Sequence, residues 1–267
     1  MRLFSLLLLA LSFYSASAQQ IVERNFQKYF EEKGVQGSFL LLDAQTNKYT
    51  AYNLGRCREG FLPASTFKIP NTLIGLETGA LRDTSEICKW DGVTRDFAAW
   101  NSDMTYANAL RVSCVPCYQQ LARRIGAERY NQWLPKLHYG HLQVTTATVD
   151  TFWLTGTSRI TQFEEIDFLR RLQANKLPFQ ARHQEAVKTL LILSKGKNWT
   201  LRGKTGWTNV TGHHNGWLVG WLEQDGHTYF FALNCEPKNN GPATEGFVQG
   251  RRIITEKILR EEFKLMP

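Results

Sequence analysis

Pro63-Ala64-Ser65-Thr66-Phe67-Lys68 sets a serine three residues ahead of a lysine, at the start of a run (69–81) whose spacing predicts a helix. Residues three apart share one helical face, so Ser65 and Lys68 can point into one cavity. A serine hydroxyl is a weak nucleophile until a base takes its proton. Lysine can serve only where an apolar site keeps its amine neutral. Phe61, Leu62, Phe67 and Ile69 supply apolar surroundings, and Pro70 falls in the first helical turn, where a missing N–H costs least. A bare Ser-x-x-Lys is common, and a second one, Ser194-Lys195-Gly196-Lys197, reads as a polar surface loop.

Around this stretch the pattern divides. Residues 21–33 mix apolar and charged positions ahead of Gly34, which predicts an amphipathic helix. Residues 37–43 and 49–54 read as two strands joined by a polar turn. Segments 105–111, 116–125, 128–137, 164–175 and 183–193 read as helices, with 82–103 and 140–155 irregular. Segments 199–204, 215–222 and 228–234 then read as strands, with Asp225-Gly226 as a hairpin turn, and a last helix covers 246–263. Strands at both ends and helices between them predict an α/β (α+β) domain over 19–267. Its central antiparallel sheet comes from about 37–54 and 199–235, terminal helices flank it, and a helical region is inserted over about 80–195. Ser65 then falls at the junction, where pockets form.

The chain has 267 residues, 32 Lys and Arg against 24 Asp and Glu, and a formal charge of +8. The basic residues are scattered and carry no nucleic-acid motif, so no nucleic-acid partner is expected. Residues 1–18 combine Arg2, an apolar stretch and Ala16-Ser17-Ala18, the signature of a cleavable export signal. The apolar stretch is too short to span a bilayer, so no membrane anchor is expected. Cys114 and Cys117 form a lone C-x-x-C among five cysteines, without the second pair a zinc site needs, and read as two buried small hydrophobes.

Further candidates lie downstream. Lys204-Thr205-Gly206 ends a strand-like run. A phosphate loop would require glycine at 198, where Asn198 stands, so the triplet reads as an exposed strand end or a carboxylate-binding edge that Gly206 leaves open to a substrate backbone. Ser113-Cys114-Val115 sits at a helix break, with Ser113 a natural N-cap ahead of Pro116. Trp153-Leu154 places an indole donor beside an apolar residue. Neither H-E-x-x-H nor G-x-S-x-G occurs, which disfavours the zinc-hydrolase and α/β-hydrolase routes.

In order and spacing, Ser65-x-x-Lys68, Ser113-x-Val115, Phe152-Trp153-Leu154-x-Gly156 and Lys204-Thr205-Gly206 resemble the class D (oxacillinase-type) serine β-lactamases over nearly all of the mature chain. Where that family usually has Tyr-Gly-Asn, this chain has Tyr139-Gly140-His141. The resemblance implies a β-lactamase / penicillin-binding transpeptidase fold and a small-molecule β-lactam substrate. It implies Ser65 as nucleophile and a carbon dioxide-derived carbamate on Lys68 as general base, with Trp153, Val115 and Leu154 around it and no metal. It further implies Ser113 and Lys204 in proton transfer, the backbone N–H groups of Ser65 and Trp207 as oxyanion hole, and Thr205, Gly206 and Arg251 on the substrate, with Arg251 preferred to Arg252. A periplasmic location is expected, and a homodimer is compatible with the family. A penicillin-sensing receptor domain and a D,D-peptidase share the motifs and stand as alternatives.

Overall fold

The computed structural model describes residues 20–266, so the export signature at 1–18 lies outside it. Strands are β1 (Gln20–Glu23), β2 (Val35–Asp43), β3 (Lys48–Tyr52), β4 (Ile87–Cys88), β5 (Met104–Thr105), β6 (Ile192–Lys195), β7 (Trp199–Val210), β8 (His213–Gln224) and β9 (His227–Pro237). Helices are α1 (Gln27–Glu31), α2 (Leu54–Cys57), α3 (Lys68–Glu77), α4 (Tyr106–Arg111), α5 (Val115–Ile125), α6 (Ala127–Leu137), α7 (Gln162–Gln173), α8 (Ala181–Leu190) and α9 (Glu245–Lys257). The large sheet runs β1-β3-β2-β9-β8-β7-β6. Its neighbours are antiparallel except β1 and β3, which run parallel.

Alternation along the central strands divides the core. Leu40, Leu42, Val219, Trp221, Phe230 and Ala232 face the inserted helices. Phe39, Leu41, Leu218, Leu222, Phe231 and Leu233 face α1 and α9 with Phe26, Phe30, Phe247 and Ile254. With both faces covered, the middle of β2, Phe39-Leu40-Leu41-Leu42, is a run of four buried apolar residues rather than an alternating pattern. Asp225 (φ 51°) and Gly226 (φ 80°) form the two-residue turn expected of Asp-Gly. Thr211 (φ 52°) and Gly212 (φ 86°) form a second such turn, which closes the β7–β8 hairpin.

Two sequence expectations are corrected. The single helix expected over 21–33 is a strand followed by a short helix. Ile21 and Val22 pair with Tyr49 and Thr50, and the Asn25 side chain accepts from the Gln27 N–H to restart the chain as α1. The loop expected at Ser194 is instead the edge strand β6, in which Ser194 pairs with Leu201 and Lys195 with Thr200 after a bulge. β6 pairs with β7 only as far as Arg202, and beyond that point β7 lies against the turn that carries Ser65. This placement brings strand and nucleophile together.

Candidate active site

Ser65 lies in a 3-10 turn, Ala64–Phe67, that runs directly into α3. Ala64 has φ of 52°, a left-handed conformation that an alanine adopts only when its surroundings hold it. Three contacts do so. Ala64 N–H donates to Trp153 O at 2.8 Å, and the Asn215 amide and the Trp217 indole both donate to Leu62 O at 2.9 Å. On the strand side, a methyl built on Gly206 would stand 3.1 Å from Trp217 Cβ and 3.2 Å from Pro63 O. The bare Cα of Gly206 therefore serves the approach of β7 to the nucleophile turn, not only that of a substrate.

Lys68 is 1 % exposed, and its Nζ lies 2.8 Å from Ser65 Oγ. Burial, followed by the charge of Lys204, holds the Lys68 amine well below the ordinary lysine range. Lys204 is buried too. Burial and then the Arg251 charge pull it down to about 7. Its Nζ donates to Ser113 Oγ and, at 2.9 Å, to Thr205 O.

Ser113 is not the helix cap expected of it. Cys114 is the N-cap residue of α5, its Sγ accepting from the Cys117 N–H at 3.3 Å. Ser113 takes φ of 55°, which turns its hydroxyl away from the helix and onto Lys204. The reading of Cys114 and Cys117 as two separate small hydrophobes is also corrected. They form a disulfide with Cα atoms 5.5 Å apart, because a cap residue and the residue three on lie one helical turn apart. Cys57, Cys88 and Cys235 are buried free thiols.

A cleft of about 290 Å³ opens above these groups. Ser65, Ser113, Val115, Thr205, Gly206, Trp207 and Arg251 line it. Lys68 and Lys204 are not on its wall: one lies beneath Ser65, the other behind Ser113. Arg251 donates to Gly206 O at 2.6 Å and to Val248 O, whereas Arg252 is half-exposed and paired with Glu256. Leu154 stands apart from the cleft wall, and its carbonyl accepts from Thr208 Oγ1 at 2.7 Å. Trp153 is buried and stacked on Phe67, with ring centroids 5.6 Å apart, and its Nε1–H has no partner. A buried indole donor is ordinarily satisfied, so this one marks a place for an acceptor.

The sequence reading gave no site role to the rest of the wall. Phe97 stacks on Trp100 at 4.6 Å, and Val112, Thr208, Asn209 and Val248 complete the lining. The aromatic residues of 82–103 were a signal in an otherwise polar segment, whereas Val248 carried none. His141 is exposed and joined to Arg159 by two 2.8 Å backbone bonds, away from the cleft. Beneath Ser65, Thr66 Oγ1, Tyr139 OH and Glu165 Oε1 form a buried triangle with sides of 2.6, 2.8 and 2.9 Å.

The family model "Penicillin binding protein transpeptidase domain" matches residues 37–259. The β-lactamase OXA-48 of Klebsiella pneumoniae is 38% identical over 244 residues, 91% of this chain and 89% of that protein. The β-lactamase OXA-10 of Pseudomonas aeruginosa is 36% identical over 252 residues, 93% and 92% of the two chains. The crystal structure of the class D β-lactamase YbXI from Nostoc superposes with a TM-score of 0.85 at 40% identity, covering 91% of this chain and 99% of that one. That of FUS-1 (OXA-85), a class D β-lactamase from Fusobacterium nucleatum subsp. polymorphum, gives 0.82 at 37%, covering 89% and 96%. Likeness of this extent, in sequence and in fold together, makes the chain a member of the class D β-lactamases, serine hydrolases on the penicillin-binding transpeptidase fold.

Proposed function

We propose that the protein hydrolyses the lactam amide of penicillins and related antibiotics through an acyl-enzyme on Ser65. The observation that carries this is the buried Lys68 amine 2.8 Å from the Oγ of Ser65, which lines the cleft. Lys68 is carboxylated by carbon dioxide: only a neutral amine has a free lone pair for that reaction, and burial keeps this one neutral. The partnerless Trp153 Nε1–H fits an acceptor placed there. Bound there, the carboxyl group supplies the general base for Ser65 and then for the deacylating water.

The remaining steps belong to the side chains. Ser65 Oγ attacks the lactam carbonyl carbon, whose oxygen takes up negative charge against the backbone N–H groups of Ser65 and Trp207. When the C–N bond breaks, Ser113 passes a proton to the lactam nitrogen. Lys204, hydrogen-bonded to Ser113 and with a pKa of about 7, replenishes that proton near neutrality. Val115 walls the cleft, and Leu154 backs Trp153 in the apolar packing beneath. Thr205 and Arg251 hold the substrate carboxylate. The signature at 1–18 supports export to the periplasm. Among the described residues no helix is long and apolar enough to cross a membrane.

Mixing the protein with a chromogenic cephalosporin tests the proposal. Many turnovers per molecule, with a transient mass adduct on the Ser65 peptide, are expected. A single stoichiometric burst would instead mark a sensor or a peptidase.

Two smaller effects follow from the same geometry. Trp153→Phe removes the indole donor and keeps most of the packing. A buried donor to a charged acceptor is worth roughly 1.5–3 kcal/mol, so turnover in ambient air is expected to fall about 10- to 100-fold and to recover with added bicarbonate. A fall that bicarbonate leaves untouched would contradict the role given to Nε1. Arg251→Ala is expected to raise KM about 10- to 100-fold for a carboxylate-bearing β-lactam. The penalty is expected to shrink for an analogue whose carboxylate is esterified, and an equal penalty for both would contradict direct contact.

A further inference from the structure

Glu165, on α7, is a buried carboxyl that the mechanism above does not use, and it touches the residue next to the nucleophile. Four oxygens, Pro63 O, Thr66 Oγ1, Tyr139 OH and Glu165 Oε1, make four mutual contacts of 2.6–2.9 Å. An ionised Glu165 leaves only the two hydroxyl protons to fill them. If Thr66 donates to Pro63 O and Tyr139 to Glu165, the 2.6 Å contact between Thr66 and Glu165 sets an anion against lone pairs. A proton on Oε1 fills three of the four, where the ionised form fills two: Glu165 donates to Thr66, Thr66 to Pro63 O, and Tyr139 to Glu165, which leaves only the longest contact, Thr66 to Tyr139 at 2.9 Å, without a proton. Glu165 Oε2 is buried without a partner, which a neutral carbonyl oxygen tolerates far better than half of a carboxylate.

The surroundings supply no counter-charge. Among the described residues no Lys, Arg or His donates to Glu165, and the titratable groups acting on it are Tyr139 and Glu164. Charged groups on and around α7 are engaged elsewhere: Glu164 with Thr161, Asp167 with Arg170 and Arg171, Glu223 of β8 with Arg202. Likewise Glu185 of α8 pairs with Lys188, His183 with Glu77, Glu236 of β9 with Arg56, and Asp43 of β2 accepts from the Gln45 N–H. Lys68 is turned to Ser65.

We propose that Glu165 acts in its protonated form as a positioning residue, locking Thr66 and with it the Ser65 turn through a hydrogen bond that exists only while the carboxyl is neutral. Burial pushes this carboxyl up to about 7, so the lock opens on the alkaline side of neutrality.

This inference rests on Ser65 being the nucleophile, and its test separates the two. Glu165→Gln keeps a neutral donor and acceptor that no longer titrate. Its kcat/KM is expected to match wild type below neutrality. Wild type is then expected to fall behind the variant by about threefold or more within one pH unit above the midpoint. Stability gives a readout independent of activity. A carboxyl raised from 4.5 to about 7 in the folded chain contributes fully below 4.5, and its contribution is lost as pH rises through about 7. The Tm of wild type relative to Glu165→Gln is therefore expected to decline over that window and stay level above it. Should the variant not fold, Tyr139→Phe serves: the phenol's hydrogen bond favours the ionised carboxyl, so its loss should carry the alkaline limb of activity to higher pH. Superimposable pH profiles for two active enzymes, with parallel Tm curves, would overturn this inference and leave the function intact. An unmoved limb in Tyr139→Phe would do the same. Inactivity of wild type would instead overturn the function.

Discussion

Lys68→Ala is expected to lower β-lactam turnover about 10³- to 10⁴-fold, the upper range of what a general base contributes, because one side chain serves both acylation and deacylation. The amine lies 2.8 Å from Ser65 Oγ, and among the described residues the hydrogen bonds of that hydroxyl name no other partner. Among the described residues the cleft wall holds no His, Asp or Glu, and Lys204, the other amine part neutral near pH 7, is engaged with Ser113 Oγ and Thr205 O instead of Ser65. Any Ser65 that does become acylated should stay acylated, since water then lacks its activator. The adduct on the Ser65 peptide should persist for minutes in the variant while it turns over in wild type. The fold should survive, because an alanine there removes a buried polar group that no charge partner requires. A Lys68→Ala protein that still deacylated at a wild-type rate would show that the base lies elsewhere.

Lys204→Ala is expected to cost about 10²- to 10³-fold in kcat/KM, with the loss concentrated in acylation. Lys204 is the hydrogen-bond partner that Ser113 holds on the strand, and it sits at the start of the edge that β7 presents to the nucleophile turn. Burial and the neighbouring Arg251 bring its pKa to about 7, so near neutrality it is part protonated and can give as well as take a proton. The sign is fixed by that direction: the cationic form dominates below about 7 and fades above it. The alkaline fall that wild type shares with Glu165→Gln should therefore disappear in Lys204→Ala, leaving a lower and flatter profile. A profile of unchanged shape would assign that limb to another group. The variant also removes positive charge beside Lys68, whose amine should become easier to protonate.

The central pair was legible because Ser65 and Lys68 lie one helical step apart, and sequence spacing is geometry over so short a range. The late hairpin was legible for the same kind of reason, since Asp225-Gly226 dictates its own turn. Long-range features were not. The triangle joins Thr66 to Tyr139 and Glu165, 73 and 99 residues away, and no local pattern marks a glutamate destined for the interior. Ser113 looked like a cap because of Pro116. Its left-handed backbone arises from the way α4 ends, with Ser113 N–H bonded back to Leu110 O and Cys114 N–H to Ala109 O. β1 was read as helix because four residues carry too little periodicity to outweigh the run behind them, and only the exposed edge of β3 makes them a strand. Val248 and Asn209 reach the cleft from elements whose placement depends on the whole sheet. The resemblance carried site residues that spacing alone left open, Arg251 among them, and the structure puts that side chain on the cleft wall and Arg252 off it.

The central claim is that a neutral, buried Lys68, carboxylated by carbon dioxide, activates Ser65. Carbon-13 NMR of the protein equilibrated with labelled bicarbonate, recorded alongside turnover of a chromogenic cephalosporin as pH is lowered, tests it most directly. The account predicts one slowly exchanging carbamate signal that is absent from Lys68→Ala, fades together with activity in mild acid, and returns with activity when bicarbonate is added. Full turnover in carbon dioxide-free buffer with no such signal would contradict it.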